Sequence, residues 1–181
     1  IWEHRGDKRH FVHSKMMSWV AMDRAAKIAK FIGKNHYVPM YEKMAEVIKN
    51  DILKNGWDKE QQSFVMFYGS KELDASVLLM LHYGFLTKDD PLMISTVNRI
   101  YQGLTKDGFT MRYQMADDFG KPENAFIVCS FWMINSLFLI GRQQEAQVMF
   151  EKIIKHANRF GLFAEDIEIK SGRQTGNFPQ G

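Results

Sequence analysis

The feature that most constrains this chain is a pairing of helices that occurs three times. Apolar residues recur at spacings of three and four in six segments, and the segments alternate in kind. A strongly apolar helix is followed by a short turn, an amphipathic helix and a long loop. The first members begin near Ser14, Leu73 and Glu123, at intervals of roughly 50 to 60 residues. A helical hairpin that cannot cover its own apolar face has to stack on its neighbours. Three such hairpins give an all-α chain, either a solenoid segment or half of a six-hairpin toroid. The long loops lead into the apolar helices, so they are expected to gather at one end. A functional site belongs at that end.

The boundaries follow from caps and breakers. Ser14 opens the first helix, where Met17, Val20, Ala21, Ile28, Phe31 and Ile32 recur, and Gly33 stops it. The second follows Pro39, carries Met44, Val47, Ile48 and Leu53 on one face, and ends at Gly56. Residues 56–71 are aromatic and glycine-bounded and read as extended or loop-like. The third helix spans Leu73 to His82 with Asp74 in its first turn, and Pro91 begins the fourth. Residues 105–122 form a long loop. The fifth helix, Glu123 to Ile140, is apolar nearly all round and reads as fully buried. The sixth, Arg142 to Phe160, has Val148, Phe150, Ile153, Ile154 and Ala157 as its expected buried side. From Gly161 to Gly181 the chain reads as loop.

Composition narrows the function. The chain of 181 residues is one domain's worth and long enough to bury a core. Lys and Arg number 24 against 21 Asp and Glu, a net charge of +3 that is too small and scattered to mark a nucleic-acid or membrane partner. A single cysteine excludes an internal disulfide framework and a cysteine-based zinc site. No apolar run reaches the roughly 18 residues of a spanning helix, because Ser130, Asn135 and Ser136 interrupt the most apolar stretch. His4, His10 and His13 do not have the spacing of a helical metal-ligand pair, so no metal is expected. With no visible targeting segment and Cys129 set in an apolar helix, the cytoplasm is the expected compartment. The chain opens at Ile1 without a methionine, so further sequence is expected before it.

Three segments carry the chemistry. The first sets Trp2 beside Glu3, with three His, Arg5 and Arg9 close behind. The second holds Asp107, Gly108, Arg112, Tyr113, Asp117, Asp118 and Glu123. The third holds Glu165, Asp166 and Glu168. All three fall at the expected loop-rich end. Sugars present apolar faces to aromatic rings and hydroxyls to carboxylates and Arg, so this mixture suits a carbohydrate. Plainer roles stand beside each residue. Glu3 reads equally as a surface carboxylate, and Arg112 as an ion-pair partner of Asp117 or Asp118. Asp166 rivals Glu165. Tyr68 and Asp74 fit either a sugar contact or a closed loop and a helix cap. Cys129, Phe131 and Trp132 fit a core.

These residues resemble glycoside hydrolase family 15, whose members include glucoamylase-like enzymes, glucodextranases and microbial trehalases. The likeness is carried by IWEHRGDKRHFVHSKMMSWVAMDRA at the start, Tyr68-Gly69-Ser70 with Leu73-Asp74-Ala75-Ser76, Asp107-Gly108 with Arg112-Tyr113, CSFW at 129–132, and GLFAED running to GNFPQ. It covers almost the whole chain, in order. It implies part of an (α/α)6 toroid of about three hairpins, the later half of a catalytic domain. The early hairpins and a segment after Gly181 are then expected to lie elsewhere in a longer polypeptide.

The resemblance also implies an inverting hydrolase that releases glucose from α-glucosidic bonds. Glu3 would be the general acid and Glu165 the general base, with Trp2, Arg112, Glu123 and Phe126 at the substrate. Asn124 replaces the glycine that often follows Glu123 in the family. No metal or organic cofactor is implied, and the implied partner is an α-glucoside disaccharide or oligosaccharide. Trehalase is the alternative within the family. A non-catalytic toroid acting as a carbohydrate-binding or regulatory module is the alternative outside enzymes, and it is disfavoured by retention of both carboxylates. Glu165 also argues against a phosphorylase, which needs no carboxylate base. The chain by itself is expected to be inactive, or to fold only with its missing half or as an oligomer, because a half ring exposes apolar faces.

Overall fold

A helix forms in each of the six expected places, the third of them short. The computed structural model describes residue 2, residues 6–117 and residues 120–180. Helices α1 (Val12–Phe31) and α2 (Val38–Asn55) form the first hairpin. Gly33 reverses the chain between them at φ +74°, a conformation glycine adopts without strain. Pro39 sits in the first turn of α2, where no backbone donor is needed. Strands β1 (Trp57–Asp58) and β2 (Ser63–Phe64) then pair antiparallel. A 3-10 turn, Ala75–Leu78, leads into the short α3 (Leu79–Tyr83). Asp90 caps α4 (Pro91–Leu104) by accepting from the Leu92 amide at 2.9 Å. Strands β3 (Thr105–Lys106) and β4 (Phe109–Thr110) make a second small hairpin. Strand β5 (Ala125–Phe126) runs directly into α5 (Ile127–Leu139), which pairs with α6 (Gln143–Ile154). The chain closes with β6 (Asp166–Ile167) and β7 (Gln174–Thr175), in an antiparallel sheet of order β5-β6-β7.

One apolar cluster runs through all three hairpins. Helix α1 contributes Val12, Met16 and Trp19, α4 contributes Met93, Val97 and Ile100, and α5 contributes Cys129, Met133 and Leu137. Trp19 meets Phe85 edge-on at 5.1 Å, an arrangement favoured by the ring quadrupoles. No helix among the described residues is long and apolar enough to cross a membrane.

Five local expectations change, and one is that the sixth helix ends at Ile154 rather than at Phe160. The third helix is a 3-10 turn followed by α3, and Asp74 stands outside it as the cap. The fifth helix starts at Ile127, because Ala125 and Phe126 pair with Ile167 and Asp166 instead. The tail contains two strands rather than loop alone. Val148, Phe150 and Ile154, expected on the buried side of the sixth helix, are exposed, and so is Phe138 of the fifth. Periodicity shows that a face is apolar but does not identify what covers it.

The loops do gather at one end, by a bond pattern that repeats. The amide of Val12 donates to the Met66 carbonyl at 3.0 Å, Ala75 to Arg112 at 2.9 Å and Ile127 to Glu165 at 2.9 Å. In each unit the loop after the hairpin returns to the start of its own apolar helix. The bond satisfies a helix-start amide that has no partner inside the helix. It also carries Arg112 and Glu165 to equivalent places on the same rim.

Candidate functional site

Trp2 lies at the centre of this rim. Its indole Nε1–H donates to Asp74 Oδ1 at 2.8 Å. Its ring meets Tyr113 at 6.1 Å and Phe126 at 5.5 Å, both edge-on, and Trp132 at 6.2 Å, tilted. The residues come from the first segment, the turn before α3, the loop after β4, strand β5 and helix α5. Segments distant in sequence are thus brought to one aromatic cluster.

Asp74 accepts the directional bond from the Trp2 indole. It is 1% exposed. Burial pushes its carboxyl above the usual range, and the N–H groups of Trp2 and Ser76 oppose that shift. The Ser76 amide donates to the same Oδ1 at 2.8 Å. The Ser76 hydroxyl is buried with no hydrogen-bond partner among the described residues.

Arg112 is fixed by an ion pair with Asp117, at 2.9 Å from Oδ2, and its guanidinium lies over the Tyr113 ring at 5.0 Å. The Tyr113 hydroxyl donates to the same Asp117 oxygen at 2.6 Å. Burial and the Asp117 carboxylate both push the Tyr113 phenol up, so it remains a neutral donor. Asp117 is thus the partner that one of the plainer readings of Arg112 required. The pairing leaves Arg112 partly exposed, with 28% of its side chain open against 4% for Asp117. A guanidinium held in this way is set in orientation and keeps donors to offer. Asp118 lies outside the described residues.

Glu165 and Asp166 stand next to Phe126, which is in register with Asp166 across β5 and β6. Glu165 Oε2 accepts from the Asn177 side-chain amide at 2.9 Å and from its backbone amide at 3.2 Å. Gly176 makes this turn possible. A Cβ there would stand 3.0 Å from Glu165 Oε2, and its φ is +77°. Asp166 is half-buried. Its carboxyl is pushed up to about 6 by burial and by the Glu165 charge, with Arg112 opposing.

Glu3, the expected acid, lies outside the described residues, as does His4. Glu123 lines a cavity of about 520 Å³ with Lys106, Gln114, Glu168 and Lys170. His13 is buried in α1, where burial lowers it to about 4, and His10 stacks on Tyr68 at 5.6 Å. The bonding roles of Asp74 and Asp117 are the additions the sequence did not settle. Their only signal was a carboxylate beside motif residues.

An aromatic box, a braced arginine and a pair of adjacent carboxyls, one with a raised pKa, suit the binding and hydrolysis of a sugar. Known proteins bear on this. The family model "Glycosyl hydrolases family 15" matches residues 1–141. A trehalase of Mycobacterium tuberculosis is 42% identical over 99% of this chain, which spans 27% of that relative. A trehalase of Thermoplasma volcanium is 37% identical over 99% of this chain and 29% of its own length. The chain therefore spans under a third of the curated relatives it matches. The solved structure of a wild-type glycosidase superposes with a TM-score of 0.75 at 20% identity, over 91% of this chain and 42% of that one. At that identity the likeness concerns the fold, a helical toroid of which this chain forms three hairpins.

Proposed function

Because the chain belongs to glycosyl hydrolase family 15, we propose that it supplies the acid, the base and part of the sugar-facing wall of an inverting α-glucosidase. The remaining hairpins of the ring come from elsewhere in a longer polypeptide. The observation that carries the reading is the convergence on Phe126. Its ring packs on Trp2, next to Glu3 in sequence, and its backbone pairs with Asp166, next to Glu165. The two motifs from opposite ends of the chain are bridged by one residue.

The chemistry divides between them. Glu3 protonates the glycosidic oxygen as the C1–O bond breaks. A water attacks C1 from the other face, and Glu165 takes its proton. Inversion needs the two carboxyls roughly 6.5–9.5 Å apart, so that the water fits between base and sugar. Trp2 and Phe126 pack against the apolar face of the glucose, and Arg112, braced by Asp117, holds its hydroxyls. Correct placement of acid, water and sugar supplies much of the rate. Among α-glucosides, trehalose is favoured, because the relatives named above carry that activity in their names.

Proton NMR of the full-length protein with trehalose, maltose, a longer maltooligosaccharide and an isomaltooligosaccharide tests this. Inverting cleavage of trehalose releases α- and β-glucose in equal initial amounts, because one ring inverts and the other leaves unchanged. Glu3→Gln and Glu165→Gln are expected to lower kcat by about a hundredfold or more, and Asp166→Asn by far less. Exclusively α-glucose from trehalose, or an Asp166→Asn variant as impaired as Glu165→Gln, would overturn the acid–base assignment.

A further inference from the structure

We propose that Asp74 is a positioning residue whose buried carboxyl clamps the Trp2 indole and so sets the segment that carries the acid. The inference rests on the assignment of Glu3 above, and it begins from a mismatch between cost and evident use. Asp74 is 1% exposed and makes no ion pair with a described residue. A carboxyl taken out of water is expensive to keep. Its local duty is small, since it caps a four-residue 3-10 turn through the Ser76 amide. A serine, threonine or asparagine would do that work without a charge.

The second bond accounts for the carboxyl. Tyr113, Phe126 and Trp132 hold the Trp2 ring by contacts that restrict tilt but barely fix rotation within its own plane. The indole N–H is the directional handle. Its acceptor at 2.8 Å is a carboxyl oxygen already fixed by the Ser76 amide. The turn is fixed in its own right, because the Ala75 amide donates to the Arg112 carbonyl at 2.9 Å. Asp74 therefore ties Trp2, one residue from Glu3, to the loop that presents Arg112. A carboxylate acceptor makes a stronger hydrogen bond than a neutral one.

The test uses the full-length protein with Asp74→Ala, Asp74→Asn, Trp2→Phe and the Asp74→Ala/Trp2→Phe pair. Asp74→Ala is expected to lower kcat by about 10- to 100-fold while KM changes by less than about threefold. Asp74→Asn keeps an acceptor oxygen without the charge, so it restores part of the rate but not all of it. Trp2→Phe keeps a ring and deletes the N–H. The pair loses no more than the worse single variant, because both remove one bond. In ¹⁵N spectra the Trp2 indole signal, assigned by its loss in Trp2→Phe, is exchange-protected in the wild type and unprotected in Asp74→Ala. Additive losses in the pair, no rescue by Asn, or an unchanged kcat in Trp2→Phe would overturn the proposal. If Asp74→Ala does not fold, Asp74→Asn decides the matter, and a kcat and an indole protection both equal to wild type would overturn the proposal. A wild-type protein that cleaves no glucoside overturns the functional reading itself. That outcome is distinguished by the indole signal, which reports the clamp without turnover.

Discussion

Glu165 and Asp166 are neighbours in sequence with different surroundings. Glu165 receives two N–H groups from Asn177. Asp166 is half-buried against Phe126, and burial and the Glu165 charge raise its carboxyl to about 6. The folded protein therefore holds a proton on Asp166 that the unfolded chain releases near pH 4. Between those values the folded state binds more protons, so stability falls as pH rises through the window. Asp166→Asn removes this dependence. The variant is expected to gain on the wild type in Tm as pH rises from about 4 to 6 and to keep a constant advantage above that. A Tm difference that does not change across the window would show that Asp166 is not held protonated. At this scale the sequence was legible where motif residues sit side by side, as Arg112 with Tyr113, whose ring lies under the guanidinium. It was not legible where partners are remote. Trp2 and Asp74 are 72 positions apart, and only the folded rim brings their bond into view.

The apolar helices and the loops meet at Gly56, the end of α2. A Cβ there would stand 2.8 Å from the Ile52 carbonyl oxygen and 3.1 Å from Val12 Cγ2. Neither neighbour is free to move, since Ile52 is inside α2 and Val12 begins α1 beneath the rim. Gly56→Ala is expected to cost about 1–3 kcal/mol in urea unfolding of the full-length protein, with loss of activity tracking the shift of α1. An unchanged midpoint would mean that α2 ends more loosely than its geometry indicates. The sequence marked Gly56 as a stop but for a different reason. Its φ is −92°, so close packing, not conformational freedom, excludes a side chain. The same limit explains the other element-level differences. Two-residue strands such as β5 and β6 are too short for any alternation to register, and Ala125 and Phe126 read as helix on composition alone. Longer elements, α1, α2, α4 and α6, were legible because each supplies three or more turns of periodicity.

Among the described residues most of the exposed large apolar side chains lie on the first and last hairpins. On the first hairpin Phe31 is 91% exposed and Val47 61%, with Ile28, Ile32, Met40 and Met44 beside them. On the last, Phe138, Val148, Phe150 and Ile154 are exposed. These residues have the spacing of buried faces, which is why the sequence suggested that Val148 and Ile154 were covered. In a toroid both of these faces would pack on further hairpins, and this chain spans 27% to 31% of its trehalase relatives. The 181-residue chain alone is therefore expected to self-associate in light scattering, because contiguous apolar faces of this size seldom stay solvated. Combined Phe31→Glu, Val47→Lys and Val148→Glu substitutions should return it to a monomer. The same substitutions in the full-length protein should do the opposite of help. If further hairpins cover the faces there, placing charges on them lowers Tm and the amount of folded protein. The contrast separates a covered face from ordinary surface. A wild-type chain that is already monomeric, or a full-length triple variant with an unchanged Tm, would show that these helices are finished surface and that the ring closes without them.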